Sequence, residues 1–205
     1  YIDQFKLEVT CRSPAVRTFG NWILGMAELY LRNPCHQMYA MFQDDFICSK
    51  GLREYLTKCD YPEKGYFNLY TFPSNHDDSK QGWYPGALLR SGRPGFQTGR
   101  GAVALVFTND GLTSLLSHTH TIERPKDIHR GHKSVDGGIV SAMNKAGYLE
   151  YVHNPSLIQH TGLQSTMGNR PHKLALSFRG EDFDCSTLLT ADQKAGIKRH
   201  VLDGK

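Results

Sequence analysis

Met38-Tyr39-Ala40-Met41-Phe42-Gln43-Asp44-Asp45-Phe46 is the stretch on which the reading of the fold turns. A short apolar run, read as a buried strand, ends in two adjacent carboxylates. Ser49-Lys50-Gly51-Leu52-Arg53-Glu54-Tyr55-Leu56 then opens a helix. In open α/β sheets ligands bind outside the carboxyl ends of the strands, so an acidic pair there is placed for chemistry. Neighbouring carboxylates repel each other, and a divalent cation against them lets both stay ionised. Hard oxygen ligands suit Mg²⁺ or Mn²⁺. The plainer alternative is a solvated Asp-Asp turn that starts the next helix.

Upstream, residues 13–32 predict a helix. Ser13 is its cap, Pro14 lies in its first turn, and Val16, Phe19, Ile23, Met26, Ala27, Tyr30 and Leu31 recur at helical spacing. Asn33-Pro34 stops it. Downstream, Leu52, Tyr55, Leu56 and Cys59 share a helix face, and Tyr66 to Phe72 reads as a second strand. Polar and irregular stretches follow, from Ser74 to Gly82 and from Gly86 to Gly101, carrying Arg90, Arg93 and Arg100. Ala102 to Phe107 is a third, apolar strand. Asn109 or Asp110 caps a helix bearing Leu112, Leu115 and Leu116. A second polar stretch holds His118, His120, His129 and His132, and Asp136 opens another helix. Tyr148 to Val152 and Leu157 to Gln159 are short strands, the latter ending at His160. The alternation of helix and strand is that of an α/β fold.

The 205 residues are expected to form one domain, with a core over about 13–185 and a polar C-terminal tail. No run of about 18 apolar residues occurs, which excludes a membrane-spanning helix. The net charge of +4 favours anionic ligands such as nucleotides, phosphorylated acceptors or nucleic acid without choosing among them. Five irregularly spaced cysteines without a C-x-x-C pair fit packed, reduced thiols and a cytoplasmic setting. The histidines lack any standard zinc spacing and are expected to be solvated or to face an acceptor.

Several stretches together resemble one family. Gln43-Asp44-Asp45 after a strand is similar to the D-x-D or E-D-D signature of GT-A-fold nucleotide-sugar glycosyltransferases. Leu69-Tyr70-Thr71, Gly99-Arg100-Gly101-Ala102 and Asp136 at a helix start follow in that family's order. The block Gln159-His160-Thr161-Gly162-Leu163-Gln164-Ser165-Thr166-Met167-Gly168 resembles the Q-H-x-G-x-x-S-x-x-G block of the N-acetylglucosaminyltransferase IV-like group. The resemblance covers roughly residues 15–185. It implies a GT-A-like, Rossmann-like mixed sheet with helices on both faces. It also implies transfer of a sugar, with inversion, from a nucleotide donor such as a UDP-sugar to a glycan or other hydroxyl acceptor.

On the same resemblance, Asp45 and His160 hold Mn²⁺ (or Mg²⁺), and Asp44 orients the ribose or a metal-bound water. Gln43 keeps a hydrogen bond to the ribose without a charge, where the family carries an acid. Asp136 is the general base that takes the acceptor's proton. Its alternative is an ordinary helix cap. Arg100 and Gly101 face a phosphate or sugar hydroxyl, or else form a turn before the strand at 102. Trp83 and Tyr84 either stack on a sugar or anchor their loop. Family members usually begin with βα units that grip the base. This chain starts almost at the helix of residues 13–32 and is therefore expected either to lack those units or to grip the base differently. Removal of a leader or anchor would place the protein in the Golgi lumen instead of the cytoplasm. A DNA-modifying transferase and a catalytically silent binding module are the rival readings.

Overall fold

The computed structural model describes residues 17–89, 96–124, 135–162 and 173–195. Its centre is β5 (Ala104–Thr108), which is buried on both faces. Alternation along this strand sends Leu105 and Phe107 to one core and Ala104 and Val106 to the other. A strand covered on both sides reads as a continuous apolar run, which is why its sequence is so plain.

On one side of β5 lies β1 (Met38–Phe42), antiparallel, with Met38 opposite Thr108. On the other lies β3 (Gly65–Asn68), also antiparallel. Next comes β6 (Leu149–Asn154), parallel to β3, and then β4 (Gly82–Pro85), antiparallel to β6. The order is β1-β5-β3-β6-β4, a mixed five-stranded sheet. A second, two-stranded sheet pairs β2 (Phe46–Cys48) with β7 (Ile158–His160), antiparallel, so that Phe46 faces His160.

Three helices cover one face: α1 (Arg17–Arg32), α3 (Asn109–Ser117) and α5 (Val135–Lys145). Their Phe19, Trp22, Met26, Leu112, Leu115, Ile139 and Met143 pack on Tyr66, Leu105 and Phe107. The other face is closed by α2 (Leu52–Lys58), by β7 and by the C-terminal segment, through Leu52, Tyr55, Ile158, Cys185 and Leu189. Two short helices, α4 (Thr119–Glu123) and α6 (Ala191–Lys194), complete the chain. The fold is thus α/β with a mixed sheet.

Several sequence expectations are corrected. The Met38–Phe42 run is not a buried strand: it is the sheet's edge, and Phe42 is 37% exposed. Leu31 is 75% exposed and off the core face, whereas Trp22 belongs to the core. The cap of α3 is Thr108, whose hydroxyl accepts from Gly111 N–H, because Asn109 turns away to the Pro34 and His36 carbonyls. The second strand stops at Asn68 and does not reach Phe72. The C-terminal part is not simply a polar tail, since Cys185 and Leu189 lie in the second core. The start of the first helix at Ser13 lies outside the described residues.

Burial raises the thiol pKa of Cys48 and Cys59, and that of Cys185 to about 12, so these are inert packing groups. Among the described residues no helix is long and apolar enough to cross a membrane.

Candidate active site

The acid pair occupies the turn between β1 and β2. Gln43 is tied down by its backbone, its N–H donating to Val103 C=O at 2.8 Å. Asp44 is exposed. Asp45 turns inward: its backbone carbonyl accepts from Thr161 N–H at 2.9 Å, which binds the turn to the end of β7. That tie follows from the antiparallel β2–β7 pairing and brings two distant sequence signals together. His160 Nε2 lies 3.4 Å from Asp45 Oδ2.

Two further observations define the chemistry of the pair. Asp45 Oδ1 is buried and has no hydrogen-bond partner among the described residues. A buried carboxylate oxygen without a donor is costly, and a cation placed against it removes the cost. Gly162 N–H donates to His160 Nδ1 at 3.1 Å. A neutral ring so held keeps its proton on Nε2, facing Asp45. Coordination of a cation by Nε2 therefore requires the other tautomer and the release of the Gly162 bond. Among the described residues no three His, Cys, Asp or Glu side chains converge on one point. Mg²⁺-type ions commonly take one or two protein carboxylates and complete their shell with substrate phosphates and water. The orphaned Asp45 oxygen beside an imidazole fits an ion held in that way.

The second cluster sits at the start of α5. Asp136 Oδ2 accepts from Gly101 N–H at 3.1 Å, and its Oδ1 accepts from Gly137 N–H at 3.0 Å. Asp136 is therefore not an ordinary cap: it reaches out of its helix to the Gly99–Gly101 turn. The carbonyl of Arg100, on the other end of the same peptide unit, accepts from Asn68 Nδ2 at 2.9 Å. One peptide is thus gripped from both sides.

Gly101 has φ +78°, and a side chain there would run into the Tyr70 ring. Only glycine suits both demands.

Tyr70 connects the two clusters. Its ring packs against Gly101 and meets His160 edge-on, with centroids 6.2 Å apart. Its hydroxyl donates to the Lys173 carbonyl, and burial raises its pKa to about 12. The Arg100 guanidinium lies 5.1 Å from the centre of the Phe72 ring and Lys173 Nζ 5.7 Å from it, so two cations share one aromatic platform. Lys173 carries no local motif. It enters the site only because the chain returns to Tyr70.

Other expectations fall away. Trp83 and Tyr84 lie in β4, not in an irregular loop. Trp83 packs among Phe67, Tyr61 and His153, and Tyr84 is buried with its hydroxyl on Asn75 C=O. The Tyr84 ring is closed off, whereas Trp83 stays half-buried and lines a cavity with Tyr55, Tyr61 and Leu188. His118 is the link between α3 and α4 and caps the latter by accepting from His120 N–H at 3.0 Å. His129, His132, Arg90, Arg93 and residues 163–168 of the Q-H-x-G block lie outside the described residues. A larger cavity of about 870 Å³ lies between β1 and α2, with Phe42, Phe46, Met38 and Leu56 among its walls; neither Asp45 nor His160 lines it.

Glu150 on β6 was not legible as a site residue. It is 2% exposed; its Oε1 accepts from Asn68 Nδ2 at 3.0 Å, and its Oε2 has no partner among the described residues. Burial, with the nearby Asp136 charge adding to it against the Asn68 hydrogen bond, raises its pKa to about 7. No family model, curated protein or solved structure matches the chain.

Proposed function

We propose that the protein is a metal-dependent glycosyltransferase of the GT-A type, moving a sugar from a nucleotide-sugar donor, a UDP-sugar in the first instance, to a hydroxyl acceptor with inversion. The observation that carries this reading is the meeting of His160 with Asp45 Oδ2, while the buried Asp45 Oδ1 has no partner among the described residues. Asp45 and His160 would hold Mn²⁺ or Mg²⁺, which supplies Lewis-acid stabilisation of a departing diphosphate.

The chain's own groups account for the rest. Arg100 and Lys173 set positive charge where donor phosphates would lie. Gln43 and Asp44, at the head of the turn, are within the donor side of the site and serve the ribose. Asp136 takes the acceptor hydroxyl's proton while that oxygen bonds to the anomeric carbon and the carbon–phosphate-oxygen bond breaks. Its two oxygens each already accept one backbone N–H, and a carboxylate has room for more acceptor bonds. The backbone bonds therefore aim it and leave lone pairs for the acceptor hydroxyl.

The test is turnover of UDP-sugars with Mn²⁺ by the wild type and by Asp136→Asn. The expected loss in the variant is ~10²–10⁴-fold, typical of general-base removal, with UDP binding retained. Equal turnover in both proteins would assign the base elsewhere, and no turnover with any nucleotide sugar would reject the transferase reading.

A further inference from the structure

Glu150 is the buried ionisable group that this mechanism leaves unused. Its surroundings are specific. Asn68 donates through one nitrogen to both Glu150 Oε1 (3.0 Å) and the Arg100 carbonyl (2.9 Å), while its own Oδ1 accepts from Tyr70 N–H (3.1 Å). The Arg100–Gly101 peptide then presents its N–H to Asp136. Glu150 is itself fixed by Gln97, which accepts from Glu150 N–H and donates to Glu150 C=O at 2.8 Å. A continuous run of hydrogen bonds leads from Glu150 through Asn68 and one peptide unit to Asp136.

We propose that Glu150 is a positioning residue for Asp136, acting through Asn68 and the Arg100–Gly101 peptide, and that a change in the charge of Glu150 is transmitted to Asp136 along this path. The catalytic value of this clamp rests on the reading of Asp136 as the base; the clamp itself does not.

Electrostatics gives the reason. Of the elements packed on β6, β3 brings Tyr66 and α5 brings Asp136 as the titratable groups that interact with Glu150. Asn68, Asn75 and Gln97 complete the surroundings as neutral amides. No cation faces Glu150 among these groups. A charge on it would stand against the Asp136 carboxylate from a buried position, where screening is weak. Oε2 is oriented towards Gly86, where Asn75 Nδ2 also lacks a partner among the described residues. The amide donors beside the carboxyl favour its charged form; its burial and the Asp136 charge outweigh them and hold the proton on Glu150. Ionisation would push Asp136 away from Glu150 and strain the Gly101 bond that aims it.

The test follows the Gly101 amide by ¹⁵N–¹H NMR from pH 5 to 9, in the wild type and in Glu150→Gln. The amide of Gly101 reports the Asp136 hydrogen bond directly. The wild type is expected to show a step with a midpoint near pH 7, and the Gln variant, which mimics the neutral acid, should show none. Carboxyl ¹³C labelling of glutamate supplies the same test on wild-type protein alone, since the Glu150 midpoint must coincide with that of Gly101. A flat Gly101 resonance in the wild type, or a step that survives in the Gln variant, overturns the proposal. Turnover against pH separates the two readings. If the NMR step stands but no sugar is transferred, the transferase assignment fails and the clamp remains. If transfer occurs, the wild-type rate should fall with a midpoint near pH 7, and that fall should be absent in Glu150→Gln.

Discussion

His160 Nε2 stands 3.4 Å from Asp45 Oδ2, and the strands carrying these residues are paired so that Phe46 lies directly opposite His160. The register decides the contact. A shift of one residue in an antiparallel pair turns every side chain to the opposite face, and would carry His160 away from the acid pair. A two-stranded sheet of three residues each is weak alone. It is held here by the Ser49 N–H to Leu157 C=O and Thr161 N–H to Asp45 C=O bonds at its two ends.

Asp45→Asn should separate fold from function. The carboxylate carries a buried, unpartnered oxygen, so removing its charge leaves the metal-free protein within about 1 kcal/mol of wild-type stability, as for most changes outside tightly satisfied networks. Mn²⁺ affinity in the presence of UDP should fall by at least the ~10–100-fold seen when metal-supporting groups are lost. Calorimetric titration beside a urea melt measures both. A large loss of metal-free stability with unchanged Mn²⁺ affinity would make Asp45 structural.

Gly101→Ala should be severe although it adds one methyl. The residue sits at φ +78° and against Tyr70. The left-handed conformation costs a side-chain-bearing residue ~1–2 kcal/mol, and overpacking a tight contact adds ~1–3 kcal/mol. A destabilisation of about 2–5 kcal/mol is expected in urea unfolding. Gly147→Ala is the control, because its φ is also positive but nothing lies within reach of an added methyl. Equal losses at the two positions would show that the Tyr70 contact is unimportant.

The dependence of stability on pH should carry two opposed contributions. Burial lowers the His153 pKa to about 4 from its ordinary 6.5, outweighing the bond to Pro155 C=O. Folding then favours the neutral ring, a stabilisation present above about pH 6.5 and lost as pH falls through about 4. Glu150 runs the other way: raised to about 7 from 4.5, it contributes stability that is complete below about pH 4.5 and lost as pH rises through about 7. Each is worth about 3 kcal/mol at full extent, at ~1.4 kcal/mol per unit. Urea midpoints at pH 4 and pH 8 for wild type and Glu150→Gln test this. The variant should gain relative to wild type at pH 8 and not at pH 4. A difference equal at both values would contradict the assignment.

How much of this was readable in the sequence follows from burial and range. β5 and the face of α3 declared themselves because local apolar patterns met local needs. β4 did not: Gly82-Trp83-Tyr84-Pro85 is four residues at a sheet edge inside polar neighbours, and it exists only through its pairing with β6. Glu150 was hidden for a related reason. In Leu149-Glu150-Tyr151-Val152 an alternating pattern suggests a carboxylate facing water, yet helices cover this face of the sheet and enclose it. Asp45, His160, Asp136 and Gly101 were each picked out from motifs. Their partnerships were not, because β2–β7 pairing and the Asn68–Glu150 bond join residues far apart in the chain.

The central claim is that Asp45 and His160 form a cation site shared with a nucleotide diphosphate, and paramagnetic broadening by Mn²⁺ tests it most directly. In a ¹⁵N–¹H spectrum with UDP present, substoichiometric Mn²⁺ should broaden the amides of Asp45, His160, Thr161 and Gly162 first, and leave those of α3, such as Leu112 and Leu115, sharp. Asp45→Asn should abolish the effect. Broadening centred elsewhere, or the same pattern persisting in Asp45→Asn, would contradict the account.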